Sequence, residues 1–88
     1  MDEYKIFFKK FVEKDFKKIP KKYLVKILEK IDELKNNPKP DGSENLTSYD
    51  LYRIRQGTYR IVYSIQDQEL IIWVIKVGHR KEIYKKLS

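Results

Sequence analysis

Four arginines lie in the second half of this 88-residue chain, and three of them fall within the single stretch LYRIRQGTYRIVYSI. They are Arg53, Arg55, Arg60 and Arg80. A planar guanidinium can donate two parallel hydrogen bonds to a phosphate or a carboxylate, so arginines gathered on neighbouring strands indicate an anion-binding site. The alternative interpretation is an ordinary solvent-facing side of a sheet, where cross-strand ion pairs contribute little stability.

The region that carries these arginines has the pattern of β-strands. Runs of β-branched and aromatic residues alternate with turns that contain Gly, Thr or Asp, which is typical of an antiparallel meander. The predicted segments are a strand at 51–55, a turn at 56–58, a strand at 59–66, a turn at 67–68 and a strand at 69–77. Gly78 is expected to end the third strand. Because that strand is apolar on both faces, each face of the sheet should be at least partly covered.

The direction of the arginine side chains follows from the alternation along a strand. If Tyr52 packs against the core, Arg53 and Arg55 emerge on the opposite face, and Arg60 can join them from the next strand. Arg80 follows the third strand near the same rim. Guanidiniums that converge in this way, with no run of acids nearby, predict a phosphate cradle.

The first half of the chain predicts the layer on which the sheet packs. Apolar residues recur there at helical spacing, and a proline is tolerated at the first position of a helix. The expected elements are a strand at 3–8, a helix at about 9–17, a helix from Ile19-Pro20 through Leu34, a loop at 36–50 and a terminal helix at 80–87. The order β-α-α-β-β-β-α predicts an α+β fold, with the helical hairpin on one face of an antiparallel sheet.

Composition restricts the function further. The length predicts a single domain at 1–88. There is no cysteine and one histidine, which excludes disulfides, thiolate metal sites and histidine clusters, so no metal or other cofactor is expected. No apolar run approaches a membrane span of roughly 18 residues, and the N-terminus does not resemble a signal peptide, so a cytoplasmic location is expected. The net charge of +7 favours a polyanionic partner.

The arginine-bearing stretch is similar to a known family. The run YRIRxGxYRIVY at 52–63, followed after an Ile- and Val-rich strand by VGHR and IY within 77–84, closely resembles the RelE branch of the RelE/ParE toxins of toxin–antitoxin systems. The resemblance is close over the second half of the chain and looser over the first half. It implies a single toxin domain that acts as a ribosome-dependent mRNA interferase.

The implied reaction is cleavage of the codon in the ribosomal A site. The ribose 2′-hydroxyl attacks the adjacent phosphate, which leaves a 2′,3′-cyclic phosphate and a 5′-hydroxyl. This chemistry requires a proton acceptor, cations around the pentacoordinate phosphate and a proton donor for the leaving oxygen, but no metal ion. By position in the motif, Arg60 is expected to bind the scissile phosphate, Arg80 to stabilise the transition state or protonate the leaving group, and Tyr84 to orient the substrate base.

Two positions depart from the family pattern. Arg55, expected to be catalytic, and Arg53, expected to bind substrate, stand where well-known bacterial members have lysines. A lysine can lose its proton in a cationic site, whereas an arginine effectively cannot, so the general base is left open between Tyr84, His79, water and the ribosome. His79 is placed among the substrate-binding residues, with a solvated residue after a strand as the alternative.

The resemblance also implies partners. They are the ribosome with its mRNA, and a cognate acidic, RelB-like antitoxin whose amphipathic helix wraps the toxin in a hetero-oligomer. Two other functions fit the same superfamily: a ParE-like toxin that binds and inhibits DNA gyrase without cleaving RNA, and a toxin that blocks the ribosome by binding alone.

Overall fold

The computed structural model describes residues 3–46 and 50–79. Within these residues the chain forms β1 (Lys5–Phe8), α1 (Lys10–Lys17), α2 (Lys21–Glu33), β2 (Glu44–Asn45), β3 (Leu51–Gln56), β4 (Tyr59–Gln66) and β5 (Ile71–His79). The expected α+β class is confirmed. The terminal helix expected at 80–87 lies outside the described residues.

The five strands form one sheet in the order β1-β5-β4-β3-β2. The meander of β3, β4 and β5 is antiparallel, as the turns predict, but β1 pairs with β5 in parallel, so the sheet is mixed rather than wholly antiparallel. Parallel pairing is available to β1 because both helices intervene before the chain returns to the sheet. β2 lies within the region expected to be a loop; two polar residues give no strand pattern.

The two helices pack on one face of the sheet. Apolar side chains recur along α2 at helical spacing and meet the strands in a single cluster. From the helical region it contains Val12, Ile19, Ile27, Ile31 and Leu34, and from the strands Ile54, Ile61, Tyr63, Ile65, Ile72, Val74 and Val77. Ile54 of β3 and Ile61 of β4 are cross-strand partners, and both belong to this cluster. The core therefore fixes the position of the β3–β4 hairpin.

The opposite face of the sheet is also partly covered, as the doubly apolar third strand predicts. Val62 is fully buried although it lies outside the core cluster, and Ser64 and Arg60 are buried on the same face. Within the described residues, no helix is both long and apolar enough to cross a membrane.

The last strand differs from expectation at its end. β5 continues through Gly78 to His79, and Gly78 pairs with Arg60 of β4. The β4–β5 register shifts between Val62 and Tyr63, so one extra residue of β5 is accommodated there. Gly78 therefore extends the ladder beside Arg60 instead of ending it.

Candidate anion-binding site

Arg55 and Arg60 lie directly opposite each other near the closed end of the β3–β4 hairpin. The two strands are joined at Gly57 and Thr58, and Gly57 has a φ of +62° while Thr58 has none in the positive range. This is the conformation of a type II′ turn, which fixes the register of the hairpin. Because residues that face each other in an antiparallel pair project on the same side, the turn brings two guanidiniums together.

Arg60 is a buried cation without a partner among the described residues. It is 3% exposed, no hydrogen bond or ion pair joins it to another described residue, and its Nε is buried without an acceptor in that part of the chain. An uncompensated charge in such a place is unfavourable, and so is a like charge directly across the strand pair. The arrangement is therefore one that a bound anion would stabilise.

Arg55 completes the pair from the exposed side. Its side chain reaches a cleft of about 390 Å³ lined also by Lys30, Asp41 and Glu44. Neither of these carboxylates approaches the Arg55 guanidinium within ion-pair distance in the described part of the chain. Arg55 is thus open to an anion from solvent, beside the buried Arg60.

Arg53 shares this face but has a different environment. It pairs with Val62 on one side and with Glu44 of β2 on the other, and its Nη2 donates to the Glu44 carboxylate. Its side chain is 12% exposed. The predicted common face of the three arginines is confirmed, but the charge of Arg53 is balanced by an acid that the sequence pattern did not assign to the sheet.

His79 does not join the arginines. It pairs with Tyr59, so its ring lies on the helix side of the sheet, in edge contact with the Tyr59 ring at 6.0 Å between centroids. The side chain is exposed and borders a cleft with Tyr23 and Lys26. The remaining site residues predicted from the sequence, Arg80 and Tyr84, lie outside the described residues.

A buried ion pair between α1 and β5 was missed by the sequence analysis. The Nζ of Lys76 donates to Asp15 Oδ1 at 2.6 Å, and the backbone N–H of Val77 donates to Oδ2 at 3.3 Å. Both charged side chains are buried. The only signal in the sequence is a lysine inside an otherwise apolar strand, and that signal does not identify the partner. This contact holds β5 just before Gly78, the residue opposite Arg60.

A buried tyrosine, Tyr63, forms a hydrogen bond with the loop that leads to β2. The hydroxyl of Tyr63 donates to the carbonyl of Pro38 at 2.6 Å, and burial raises the pKa of Tyr63 to about 12, partly offset by a hydrogen bond to Ser43. Because the loop continues into Glu44, Tyr63 helps to place the acid that pairs with Arg53. The neutral hydroxyl is the stable form at this site.

The described site can bind and stabilise negative charge, but it offers no general base. The guanidiniums of Arg55 and Arg60 can each donate two hydrogen bonds to a phosphate. The carboxylates at this face, Glu44 and Asp41, lie at its edge. The described residues are therefore suited to electrostatic stabilisation of a phosphoryl group.

Known proteins resemble this chain in sequence. The model of the family described as "ParE toxin of type II toxin-antitoxin system, parDE" matches residues 6–84. The putative toxin RelE1 of Methanocaldococcus jannaschii is 35% identical over 80 residues, which cover 86% of this chain and 89% of that protein.

Solved structures resemble it in fold. An archaeal RelE–RelB complex from Pyrococcus horikoshii contains a chain that is 31% identical, with a TM-score of 0.75 over 88% of this chain and 94% of that one. An arginine-to-alanine double mutant of E. coli RelE in its free state is 25% identical, with a TM-score of 0.81 over 97% of this chain and 93% of that one. The span of the family match and the archaeal relative together show that this chain belongs to the RelE/ParE superfamily of type II toxin–antitoxin toxins.

Proposed function

We propose that this toxin is a ribosome-dependent endoribonuclease that cleaves mRNA in the ribosomal A site and thereby inhibits translation. The observation that carries the proposal is the pair of Arg55 and Arg60. A buried guanidinium that has no partner among the described residues and faces a second guanidinium is unfavourable for folding but well suited to a phosphodiester. The similarity to proteins named RelE favours RNA as the source of that phosphodiester.

In the proposed reaction, the 2′-oxygen of one nucleotide forms a bond to the adjacent phosphorus while the bond from phosphorus to the 5′-oxygen breaks. The 2′ proton passes to a base, and a second proton reaches the departing 5′-oxygen. The products are a 2′,3′-cyclic phosphate and a 5′-hydroxyl. Two negative charges accumulate on the phosphoryl oxygens in the transition state, and fixed cations stabilise that state more than the ground state.

Roles for the described residues follow from their positions. Arg60, held rigidly by burial, binds the scissile phosphate, and Arg55 adds charge from the exposed side. Arg53 binds the RNA strand more weakly, because its guanidinium already donates a hydrogen bond to Glu44. Within the proposal Arg80 protonates the leaving group or stabilises the transition state, and Tyr84 orients the base; both lie beyond the described residues.

The proton acceptor is not Arg53, Arg55 or Arg60, because an arginine does not deprotonate in proteins. His79 lies on the helix side of the sheet, away from the arginine pair. The 2′ proton therefore passes to Tyr84, to water or to a group of the ribosome. This leaves positioning and electrostatic stabilisation as the main contribution of the described residues.

We also propose that a cognate antitoxin neutralises this toxin in a hetero-oligomer. Several solved structures that resemble this chain are toxin–antitoxin complexes, including those from Pyrococcus horikoshii and Mycobacterium tuberculosis. The net charge of +7 favours an acidic partner that covers the arginine face.

The decisive experiment is primer extension on a reporter mRNA, with the purified toxin, in the presence and absence of ribosomes that translate the message. Cuts within A-site codons only when ribosomes are present are expected for the wild type. Arg60→Ala should abolish them and Arg55→Ala should reduce them strongly. Lys14→Ala, an exposed substitution on α1, is the matched control and should cleave normally.

Other outcomes would decide between the remaining functions. Inhibition of translation with intact mRNA would show that the toxin blocks the ribosome by binding and does not cleave the message. The family model that matches residues 6–84 is that of ParE toxins, which makes inhibition of DNA gyrase the second candidate. Loss of gyrase supercoiling activity in the presence of the toxin, with no effect on translation, would establish that candidate.

A further inference from the structure

Three aromatic rings form a continuous row on the helix side of the sheet, next to the tip of the β3–β4 hairpin. The ring centroids of Tyr23 and Tyr59 are 5.9 Å apart, and those of Tyr59 and His79 are 6.0 Å apart. The outer members of the row are accessible: Tyr23 is 46% exposed and His79 is exposed. Because the ring planes meet at 43° and 78° and are not stacked face to face, the outer rings keep exposed surface on which a planar group could stack.

A cleft of about 400 Å³ runs along these rings. It is lined by the three aromatic residues, by Lys26 and by the hairpin tip, Gln56 to Thr58. Lys22 lies against the Tyr23 ring, with its Nζ 5.0 Å from the centroid. Among the residues that the structure describes, no carboxylate lines this cleft, and the acid that lines the neighbouring smaller cleft, Asp15, is engaged by Lys76. The surroundings of the rings are therefore cationic.

The combination of exposed rings and lysines, with no ion pair to these lysines from the described residues, suits a single-stranded nucleic acid. Its bases can stack on aromatic side chains whatever their sequence, while its phosphates are attracted by the lysines. A neutral protein surface could bury the same rings but would gain nothing from the lysines, whereas a nucleic acid supplies both planar bases for the rings and phosphates for the lysines. Charge complementarity thus favours a polyanion with planar groups.

The cleft is also connected to the arginine pair. Tyr59 and Arg60 are consecutive residues that project on opposite faces, and the tip formed by Gly57 and Thr58 lies between the two faces. A strand held by Arg55 and Arg60 can pass over the tip and reach the aromatic row. We propose that Tyr23, Tyr59 and His79, with Lys22 and Lys26, form a stacking platform for single-stranded RNA that continues from the strand bound at the arginines; the proposal rests on the proposed function in taking RNA as the ligand.

The test is fluorescence anisotropy with a labelled 2′-O-methyl hexauridylate, which lacks the attacking hydroxyl and cannot be cleaved. Tyr23→Ala should weaken binding by about fivefold to a hundredfold, the range for loss of one stacked base. Tyr23→Phe keeps the ring and should bind like the wild type. Tyr23→Leu keeps an apolar side chain but has no ring, so it should bind as weakly as Tyr23→Ala. Lys26→Gln should reduce the salt dependence of binding, and Lys14→Gln should not.

The outcomes separate this proposal from the proposed function. An unchanged affinity in Tyr23→Ala, retention of affinity in Tyr23→Leu, or no binding of the oligonucleotide by the wild type would overturn the platform, whatever the toxin does on ribosomes. Unchanged affinity in Tyr23→Ala would leave the cleft as a surface for a protein. Ring-dependent binding together with absence of cleavage on ribosomes would sustain the platform while removing the proposed function.

Discussion

Asp15 of α1 and Lys76 of β5 form an ion pair in the interior of the molecule, with Nζ and Oδ1 2.6 Å apart and both residues less than a tenth exposed. The same carboxylate accepts the backbone N–H of Val77 through its other oxygen. β1 pairs with β5 only as far as Val74, so Asp15 satisfies a backbone donor of β5 beyond the end of its neighbouring strand. One carboxylate thus joins the first helix to the strand segment that places Gly78 beside Arg60.

Asp15→Ala is expected to destabilise the protein by about 3 kcal/mol, because a buried ammonium loses its carboxylate and the Val77 N–H loses its acceptor. Urea unfolding followed by circular dichroism measures this free energy. Asp32→Ala is the matched control: Asp32 pairs with Lys35 on the surface, and its loss should change stability by about 0.5 kcal/mol or less. Equal effects of the two substitutions would show that burial does not strengthen the Asp15 contact.

The hairpin and its faces could be predicted from the sequence because the information is local. The two-residue period of a strand fixes which side chains share a face, and Gly57 marks the turn that sets the register. These two rules place Arg53, Arg55 and Arg60 together without knowledge of the rest of the fold. The long periodic helix before them is predictable for the same reason.

The features that were missed depend on contacts between distant parts of the chain. Asp15 and Lys76 are 61 residues apart, and no pattern links them. The parallel direction of β1, the register shift in β5 and the pairing of Glu44 with Arg53 likewise arise only once the sheet is assembled. Because Glu44 lies in a polar segment of loop composition, its effect on the charge of the arginine face could not be predicted.

Gly57→Ala is expected to destabilise the hairpin by about 1 kcal/mol. A Cβ at this position meets no atom within 4 Å, so the effect is one of backbone conformation alone, at a φ of +62°. Gly57→Asn should lose less, since asparagine tolerates this region better. Thr58→Ala, next to it in the turn and without a positive φ, serves as the control and should be nearly neutral in thermal unfolding. A neutral Gly57→Ala would contradict the turn assignment.

Tyr63 predicts a specific loss of stability at alkaline pH. The folded protein raises its pKa to about 12, above the ordinary value of 10.0. The unfolded state therefore loses this proton first, so the stabilising contribution is complete below pH 10 and declines as the pH rises toward 12, by at most about 1.4 kcal/mol per pH unit. Tyr63→Phe removes this decline relative to the wild type.

The same variant loses the hydrogen bond to Pro38 and should be less stable by about 1 kcal/mol at neutral pH. The difference between the two proteins should accordingly shrink above pH 10. Chemical unfolding of both proteins between pH 7 and 11.5 measures this difference in the free energy of unfolding. Because both proteins contain the same lysines, the effect of lysine titration cancels in the difference. A constant difference over this interval would show that Tyr63 ionises equally in the folded and unfolded states.

Arg60→Met provides the clearest separation of function from stability. The guanidinium is buried, its Nε has no acceptor within residues 3–46 and 50–79, and Arg55 faces it across the strand pair. An apolar side chain of similar length should therefore stabilise the fold by about 1 to 2 kcal/mol. The same substitution should abolish mRNA cleavage. Urea unfolding and primer extension on one preparation measure both effects.

Arg53→Met is the matched control for this prediction, because its guanidinium already engages Glu44 on the same face. Loss of this pair, in which Arg53 is 12% and Glu44 51% exposed, should reduce stability by about 0.5 to 1 kcal/mol, opposite in sign to the effect at Arg60. If Arg60→Met were the less stable of the two variants, Arg60 would be a structural residue whose contacts stabilise the sheet. If Arg60→Met is more stable than the wild type and does not cleave mRNA, the charge of Arg60 destabilises the fold and is required for binding the scissile phosphate.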